Sequence, residues 1–347
     1  MKIDIISGFL GAGKTTLIQR LLKGRIASEK VVLIENEFGE ISVDTDFLKD
    51  TKVEIQELSQ GCICCSLVGD FSKALKEIVD RFYPDRIIIE PSGVGKLSDV
   101  TKAVVSSGFA RELNSLVCLV DVTKAKMYAK NFGEFFLDQI QSAHTIVLSR
   151  TDLASSSKIS EAVDVVRQNN PKANLVTTPI QTLSDEELLK AYEGIEDDFL
   201  NDLLHDIHHE EECCCGHPHE HHHEEECCCP HPHEHHHEEE CHPHGHHPHP
   251  HEHHPHHHAD EVFHSIGIET ARKYDMEALR KVLEEMAFGQ YGTVLRAKGI
   301  IQGADEKWYQ FNLTPEEVHI VPGTSIPMGK ICVIGSSLDE IKIKELF

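Results

Sequence analysis

The sequence contains no apolar run long enough to span a bilayer, and its first residues lack the features of a secretory signal. Asp4 interrupts the apolar start, and no cleavage-like end follows it. We therefore expect a cytoplasmic protein with no membrane partner. Twelve cysteines in such a chain indicate metal chemistry in a reducing compartment rather than a disulfide framework.

Positive charge is scarce in this sequence. The 347 residues carry a formal net charge of −25, and no lysine or arginine occurs between Asp197 and Glu261. A surface of this charge repels phosphate backbones and anionic lipids, which argues against nucleic acid or anionic membranes as the main partner. Apolar residues make up 40% of the chain, enough for ordinary globular cores, and the length predicts about two domains.

Short apolar runs alternate with helical patterns through residues 1–200. Continuous apolar strands separated by helices indicate an α/β fold, in which a mostly parallel sheet is covered by helices on both faces. Such a sheet binds ligands at the carboxyl ends of its strands. The predicted strands are residues 2–7, 31–37, 53–58, 86–90, 115–121, 145–150 and 175–178, and the clearest predicted helices are residues 15–23 and 71–82.

Residues 8–16 read GFLGAGKTT and fit the pattern G-x-x-x-x-G-K-[ST] of a phosphate-binding P-loop. The pattern stands between a predicted strand and a predicted helix, where backbone N–H groups and the helix N-terminus form an anion site. Lys14 is expected to reach the β- and γ-phosphates, and the Thr15 hydroxyl to bind Mg²⁺. The residues predicted to hold the nucleotide here are Gly8, Gly11, Ala12, Gly13, Lys14, Thr15 and Thr16.

A second acidic motif ends the fourth predicted strand, where residues 87–93 read IIIEPSG. A carboxylate at Glu90 can hold Mg²⁺, usually through water, and Gly93 is placed to sense the γ-phosphate. We predict that Lys14, Thr15 and Glu90 carry catalysis. No glutamine stands out as a residue that positions water, and the sequence names no catalytic base.

A third motif, SRTDL at residues 149–153, occupies the place of the guanine-recognition sequence N-K-x-D. Asp152 can accept hydrogen bonds from the N1–H and the 2-amino group of guanine, which adenine cannot match. Ser149 and Arg150 replace the usual asparagine and lysine, and Arg150 can still lie flat against the base. Guanine is therefore preferred over adenine.

Cys62, Cys64 and Cys65 form a C-x-C-C motif after the third predicted strand. Thiolates are soft ligands that suit Zn²⁺ or Cu⁺ better than Mg²⁺. Three of them leave one tetrahedral position for a carboxylate, a histidine or water. The alternative is a set of small buried cysteines beside a helix N-terminus.

Taken in order, GFLGAGKTT, ENEFGE, GCICC, IIIEPSG and SRTD resemble the CobW-like GTPases, P-loop metallochaperones that include the zinc-regulated GTPase metalloprotein activators. The resemblance is close over residues 1–200 and looser over residues 261–347. It implies that GTP hydrolysis is coupled to delivery of a metal, most often Zn²⁺, to client metalloproteins. The residues that it implies for metal binding are Cys62, Cys64 and Cys65, with Glu35 and Glu40 as candidate helpers, and Ser66 is implied to approach the nucleotide.

Residues 201–260 have a different composition. The segment HHEEECCC at residues 208–215 recurs at residues 222–229, and a His-Pro tract follows as far as His258. Residues 208–258 contain no large aliphatic residue and no phenylalanine, tyrosine or tryptophan to build a core, so this low-complexity insert is predicted to be disordered in the absence of ligand. Its histidines and cysteines suit Zn²⁺, Ni²⁺, Co²⁺ and copper, so we interpret it as a metal reservoir that loads the cysteine motif by proximity. A solvated acidic linker is the alternative.

Patterned structure returns at residues 261–347, which we predict to form a small α+β domain with helices on one face of a sheet. Arg296, Lys298 and Trp308 are candidates for contact with a client, or for a salt bridge and a core aromatic. The predicted strands are residues 262–268, 294–301, 308–313, 318–321 and 331–335, with helices at residues 276–288 and from Leu338 onward.

The sequence thus favours a GTP-hydrolysing zinc chaperone. A non-catalytic zinc buffer, a Ni²⁺ or Co²⁺ chaperone and a small-molecule kinase are the alternatives. Residues 35–40 and 62–65 lie in the sequence between the P-loop and Glu90, where related NTPases have their switch loops. We therefore hypothesise that nucleotide state and metal affinity are linked, each altering the other equally.

Overall fold

The computed structural model of the protein describes residues 1–35, 53–57, 68–195, 199–201, 259–315 and 317–347. The predictions for Glu40, for the cysteine motif, for Ser66 and for the insert at residues 202–258 lie outside these residues and stay predictions.

A sheet of seven parallel strands forms the centre of the N-terminal part of the described chain, which confirms the predicted fold class. The strands pair in the order β3-β2-β4-β1-β5-β6-β7. This order places β1, which leads into the P-loop, between β4 and β5. The strands are Lys2–Gly8 (β1), Val31–Glu35 (β2), Glu54–Glu57 (β3), Arg86–Glu90 (β4), Leu113–Asp121 (β5), Thr145–Ser149 (β6) and Asn174–Val176 (β7).

Helices cover both faces of this sheet because neighbouring strand residues point to opposite sides and both sides are apolar. Ile6 packs in a core with helices α1 and α7, and Ile5 packs in a core with helices α2 to α6. None of the helices in the described part of the chain combines the length and apolar character needed to cross a membrane. The helices are Lys14–Lys23 (α1), Val68–Phe82 (α2), Leu97–Ser106 (α3), Ala125–Asn131 (α4), Gly133–Gln141 (α5), Ser156–Asn169 (α6) and Asp185–Tyr192 (α7).

Local side-chain caps start several helices. The Ser155 hydroxyl accepts from the backbone N–H of Lys158 at the start of α6. Ser184 and Glu187 form a complete capping box at the start of α7. These polar groups satisfy N–H groups that have no partner within the helix, so the sequence itself sets where the helices begin.

A second sheet lies in the C-terminal part, as predicted, with helices on one face. Its strands pair in the order β12-β11-β10-β13-β8, all antiparallel, and the short β9 pairs with β10 in parallel. The predicted strand at residues 262–268 is displaced, because Val262 ends a short helix and the strand begins at His264. The elements are Ala259–Val262 (α8), His264–Thr270 (β8), Lys273–Tyr274 (β9), Met276–Ala287 (α9), Thr293–Gly303 (β10), Trp308–Thr314 (β11), Glu317–Pro322 (β12), Gly329–Ser336 (β13) and Glu340–Leu346 (α10).

The two parts of the chain share one apolar core. Helices α9 and α10 cover one face of the second sheet, and the other face packs on the N-terminal part. Phe263 lies with its ring centroid 5.0 Å from that of Phe135 and 5.6 Å from that of Phe132. Leu295 and Ile334 of the second sheet belong to the same buried cluster. The second sheet is therefore fixed beside the P-loop side of the first.

Candidate functional site

The P-loop runs from the end of β1 into α1. Gly11 and Gly13 have φ angles of 75° and 100°, a region that residues with a side chain rarely adopt. Phe9 anchors the loop in the core, with its ring centroid 4.6 Å from that of Tyr128 and 5.8 Å from that of Phe136. A loop held in this conformation is suited to present successive backbone N–H groups to an anion.

Lys14, Thr15 and Glu90 meet at the carboxyl ends of β1 and β4. Lys14 is buried; its Nζ donates to the Gly8 carbonyl oxygen at 3.0 Å and lies 4.0 Å from Glu90 Oε1. Thr15 Oγ1 donates to Glu90 Oε1 at 3.4 Å. Because Mg²⁺ prefers oxygen ligands and keeps several waters, a hydroxyl and a carboxylate this close fit one shared ion. The structure thus brings together the three residues predicted to carry catalysis.

Glu35 ends β2 at the same edge of the sheet. Its Cα partner in β4 is Glu90, and its Cα partner in β3 is Glu57. The strand β2 therefore ends beside Glu90, and β3 ends one strand farther out along the same edge of the sheet. Within the described ranges, no group of three or more histidine, cysteine, aspartate or glutamate residues is placed to hold a metal. Cys118 and Cys332 are buried thiols, and burial raises the pKa of Cys118.

Gly93 lies in the loop after β4 and packs directly on the P-loop. A Cβ atom at this position would lie 2.7 Å from Leu10 Cδ2 and 3.1 Å from Leu10 Cα. Gln139 of α5 holds the same loop from within the core, since its Nε2 donates to the carbonyl oxygens of Gly93 at 3.3 Å and Gly95 at 2.7 Å. The loop predicted to sense the γ-phosphate is thus tied closely to the P-loop.

We expect Gly93→Ala to weaken nucleotide binding, because the added methyl group must displace Leu10 and with it the P-loop. Overpacking of this kind costs about 1–3 kcal/mol, which corresponds to a loss of roughly fivefold to 150-fold in affinity. Titration with fluorescently labelled GDP measures the change. Gly133→Ala is the control, since its Cβ would meet only Leu137 Cδ1 at an ordinary 3.6 Å. Equal affinities of the two variants would show that the loop tolerates the methyl group.

The segment after β6 that is predicted to recognise the base lines the same cavity as the P-loop. This cavity has a volume of about 490 Å³, within the usual range for small-molecule sites. Ser149, Arg150 and Asp152 lie in its wall together with the loop at residues 179–181, which follows β7. The P-loop and Asp152 therefore lie in the wall of a single cavity, as a nucleotide requires.

Arg150 joins this segment to the C-terminal sheet. It adopts a φ of 60°, its Nε lies 3.2 Å from Asp121 Oδ2, and its Nη1 donates to Glu317 of β12. Burial opposes the charge of Arg150, but the bond to Glu317 and the negative charges of Asp121 and Glu317 together outweigh it and raise the Arg150 pKa. Burial likewise opposes ionisation of Glu317, yet hydrogen bonds from Arg150 and His319 lower its pKa to about 2. The predicted stacking of Arg150 on the base stays a prediction, and the ion pairs are a role that the sequence did not indicate.

The C-terminal sheet supplies a wall of the cavity, a role that was not predicted from the sequence. Arg296 and Lys298, considered above for client contact, lie in this wall, and Lys298 is only 6% exposed. The sequence indicated this role only by the spacing of Arg296 and Lys298, which are two residues apart in a predicted strand. Side chains at that spacing lie on the same face of a sheet. Glutamines that could position water were also missed, since Gln19, Gln181 and Gln310 line the cavity. The C-terminal residues of the wall are Arg296, Lys298, Gln310, Phe311 and Asn312.

Comparison with known proteins gives matches over both parts of the chain. Residues 2–177 match the CobW/HypB/UreG nucleotide-binding domain, and residues 263–347 match the cobalamin synthesis protein cobW C-terminal domain. The chain is 32% identical to the zinc chaperone CobW of a Sinorhizobium species over 246 residues. The matched region covers 62% of this chain and 68% of that relative.

Two further relatives match over shorter regions. The zinc chaperone YjiA of Escherichia coli is 32% identical over 164 residues, 45% of this chain and 51% of the relative. The zinc-regulated GTPase metalloprotein activator 1 of Schizosaccharomyces pombe is 32% identical over 198 residues, 52% of this chain and 45% of the relative. The chain thus spans about half the length of these two relatives.

Proposed function

This chain belongs to the CobW/HypB/UreG family, and from that premise we propose that it is a GTPase metallochaperone that binds Zn²⁺ and transfers it to client metalloproteins. The proposal is carried by one observation, namely that Lys14, Thr15, Glu90 and Asp152 all line the same cavity. Relatives named as zinc chaperones and as a zinc-regulated GTPase support the choice of metal and nucleotide.

The predicted site residues have separate chemical roles in this proposal. Lys14 and the P-loop N–H groups bind the β- and γ-phosphates, while Thr15 and Glu90 hold Mg²⁺, which neutralises charge on the phosphates. Asp152 accepts hydrogen bonds from guanine, which favours GTP over ATP. Zn²⁺ is the cargo, held by Cys62, Cys64 and Cys65, with Glu35 and Glu40 as further ligands.

Sheet register supports a coupling between nucleotide and cargo. Glu35 starts the ENEFGE segment and is in register with Glu90 at the end of β4. The strand β3, which precedes the cysteine motif, ends in register with Glu35. A nucleotide or metal ion that changes the conformation of the segments after β2 and β3 acts on the phosphate-binding and the metal-binding residues together. By linkage, the nucleotide that favours metal binding is itself bound more tightly when metal is present.

The test compares the Zn²⁺ affinity of the GDP-bound protein with that of the protein bound to a non-hydrolysable GTP analogue. Coupling of the usual strength predicts affinities that differ by about fivefold or more. The Lys14→Ala variant is the control, and it should show one affinity under both conditions because it holds neither nucleotide well. Identical Zn²⁺ affinities of the wild type with GDP and with the GTP analogue would contradict the coupling. If the wild type releases no phosphate from GTP when Zn²⁺ is added, a non-catalytic zinc buffer is favoured instead.

A further inference from the structure

The face of the C-terminal sheet that packs on the N-terminal part carries a group of polar side chains on β10 and β11, beside apolar residues such as Ile334. Residues two apart in a strand share a face, and Lys298 of β10 is the Cα partner of Asn312 of β11. We call this the polar face. Its polar members on these two strands, which follow from the alternation of side chains along β10 and β11, are Arg296, Lys298, Gln310, Asn312 and Thr314.

The polar face rests on the P-loop. The Thr314 side chain is so close to Gly11 that a Cβ atom on Gly11 would lie 2.8 Å from Thr314 Cγ2. Lys124, at the start of α4, donates from its Nζ to Thr314 Oγ1 at 2.7 Å and holds this strand end in place. Four of the five residues of the polar face then line the cavity that holds Lys14 and Thr15.

Arg296 is the member best placed to reach a phosphate. It lies in the wall of the cavity together with Lys14 and Thr15. It directly precedes Ala297, whose Cα partner Leu313 directly precedes the Thr314 that contacts Gly11. Asn312 orients it, because Arg296 Nε donates to Asn312 Oδ1 at 3.3 Å. A guanidinium carries N–H donors in a fixed plane that matches phosphate oxygens.

The charge of the cavity also favours a phosphate ligand. Although the whole chain is strongly acidic, the described cavity wall carries four cationic side chains against two anionic ones. The net positive charge lies where P-loop and polar face meet. The cationic residues are Lys14, Arg150, Arg296 and Lys298, and the anionic ones are Glu90 and Asp152.

We infer that Arg296 is a catalytic residue supplied by the C-terminal sheet, and that it binds the γ-phosphate of GTP. In hydrolysis the water oxygen forms a bond to the γ-phosphorus, and the bond from that phosphorus to the bridging oxygen breaks. The electron pair stays on GDP, and the proton of the water leaves with the phosphate. Arg296 donates hydrogen bonds to the oxygens on which charge is redistributed and exchanges no proton. The inference rests on the GTPase proposal and adds a residue to its site.

Two measurements on the full chain test this role. Arg296→Ala is expected to lower the single-turnover rate of GTP hydrolysis about a hundredfold, the usual effect of removing one donor to a transition state. It should weaken binding of a non-hydrolysable GTP analogue about tenfold while GDP binding changes less than about twofold, because only the triphosphate has the group that Arg296 contacts. Arg296→Lys keeps the charge without the planar donors and should recover only part of the rate.

Arg280→Ala is the matched control, since Arg280 is an exposed arginine on helix α9, on the other side of the same sheet. It should hydrolyse GTP and bind both nucleotides as the wild type does. An Arg296→Ala rate near that of the wild type, or an equal loss of GDP and GTP-analogue binding, overturns the inference. If the wild type releases no phosphate, the GTPase proposal fails, and the two binding affinities alone then decide whether Arg296 contacts the γ-phosphate.

Discussion

Lys14→Ala is expected to lower GTP turnover by at least about a hundredfold. Lys14 is 6% exposed, and its ammonium lies between the Gly8 carbonyl oxygen and Glu90, at the point where the P-loop meets β4. A point charge fixed at this place is worth far more than one in water, since few waters compete for the phosphate. Phosphate release under saturating GTP measures the loss, and labelled-nucleotide titration shows how much of it arises from binding.

Lys23→Ala is the control for this prediction. Lys23 lies in the last turn of the same helix and is exposed, so its removal leaves the phosphate site intact. A Lys14→Ala protein that turns over GTP within about threefold of the wild type would mean that phosphate binding does not use the P-loop.

Arg86→Ala is expected to destabilise the fold by about 3–5 kcal/mol, the usual cost of breaking a buried ion pair. The Arg86 side chain is fully buried at the start of β4. It pairs with Asp4 at 2.5 Å, Glu29 at 2.6 Å and Glu193 at 2.5 Å. Without it, Asp4 is a buried carboxylate that has lost its counter-charge. Urea unfolding measures the change in the free energy of unfolding.

The pH dependence and a double variant identify the cause of this loss. Burial raises the pKa of Asp4 despite the opposing effect of Arg86. A raised folded-state pKa means that protonation stabilises the fold, and removal of Arg86 raises the Asp4 pKa further. The loss in Arg86→Ala should therefore shrink as the pH is lowered from neutral into the acidic range in which Asp4 protonates. Adding Asp4→Ala should cost less than the sum of the two single changes, because the isolated charge is gone.

Arg111→Ala controls for the loss of an arginine as such. Arg111 is exposed just before β5, and its substitution should change stability by no more than about 0.5 kcal/mol. Additive losses in the double variant, or a loss in Arg86→Ala that does not depend on pH, would contradict an origin in the buried charge of Asp4.

The sequence by itself determined the elements and the contiguous part of the site. The phosphate site is built from neighbouring residues between Gly8 and Thr16, and their backbone conformation depends on glycines within the same loop. The helix caps are set by polar residues within one turn, as at Ser184 and Glu187. Because parallel strands end at one edge, the topology also placed Glu90 and Asp152 near that loop.

Only the tertiary structure decided what faces the P-loop from outside the first domain. Thr314 contacts Gly11, and Glu317 pairs with Arg150. In both pairs the residues are far apart in the sequence, and no sequence motif predicts that they meet. How two sheets pack depends on many weak apolar contacts, such as those of Phe263 and Leu295, whose sum no short motif encodes. Arg296 therefore appears in the sequence as one polar residue in a strand, and only the packing of the second sheet against the first brings it into the nucleotide cavity.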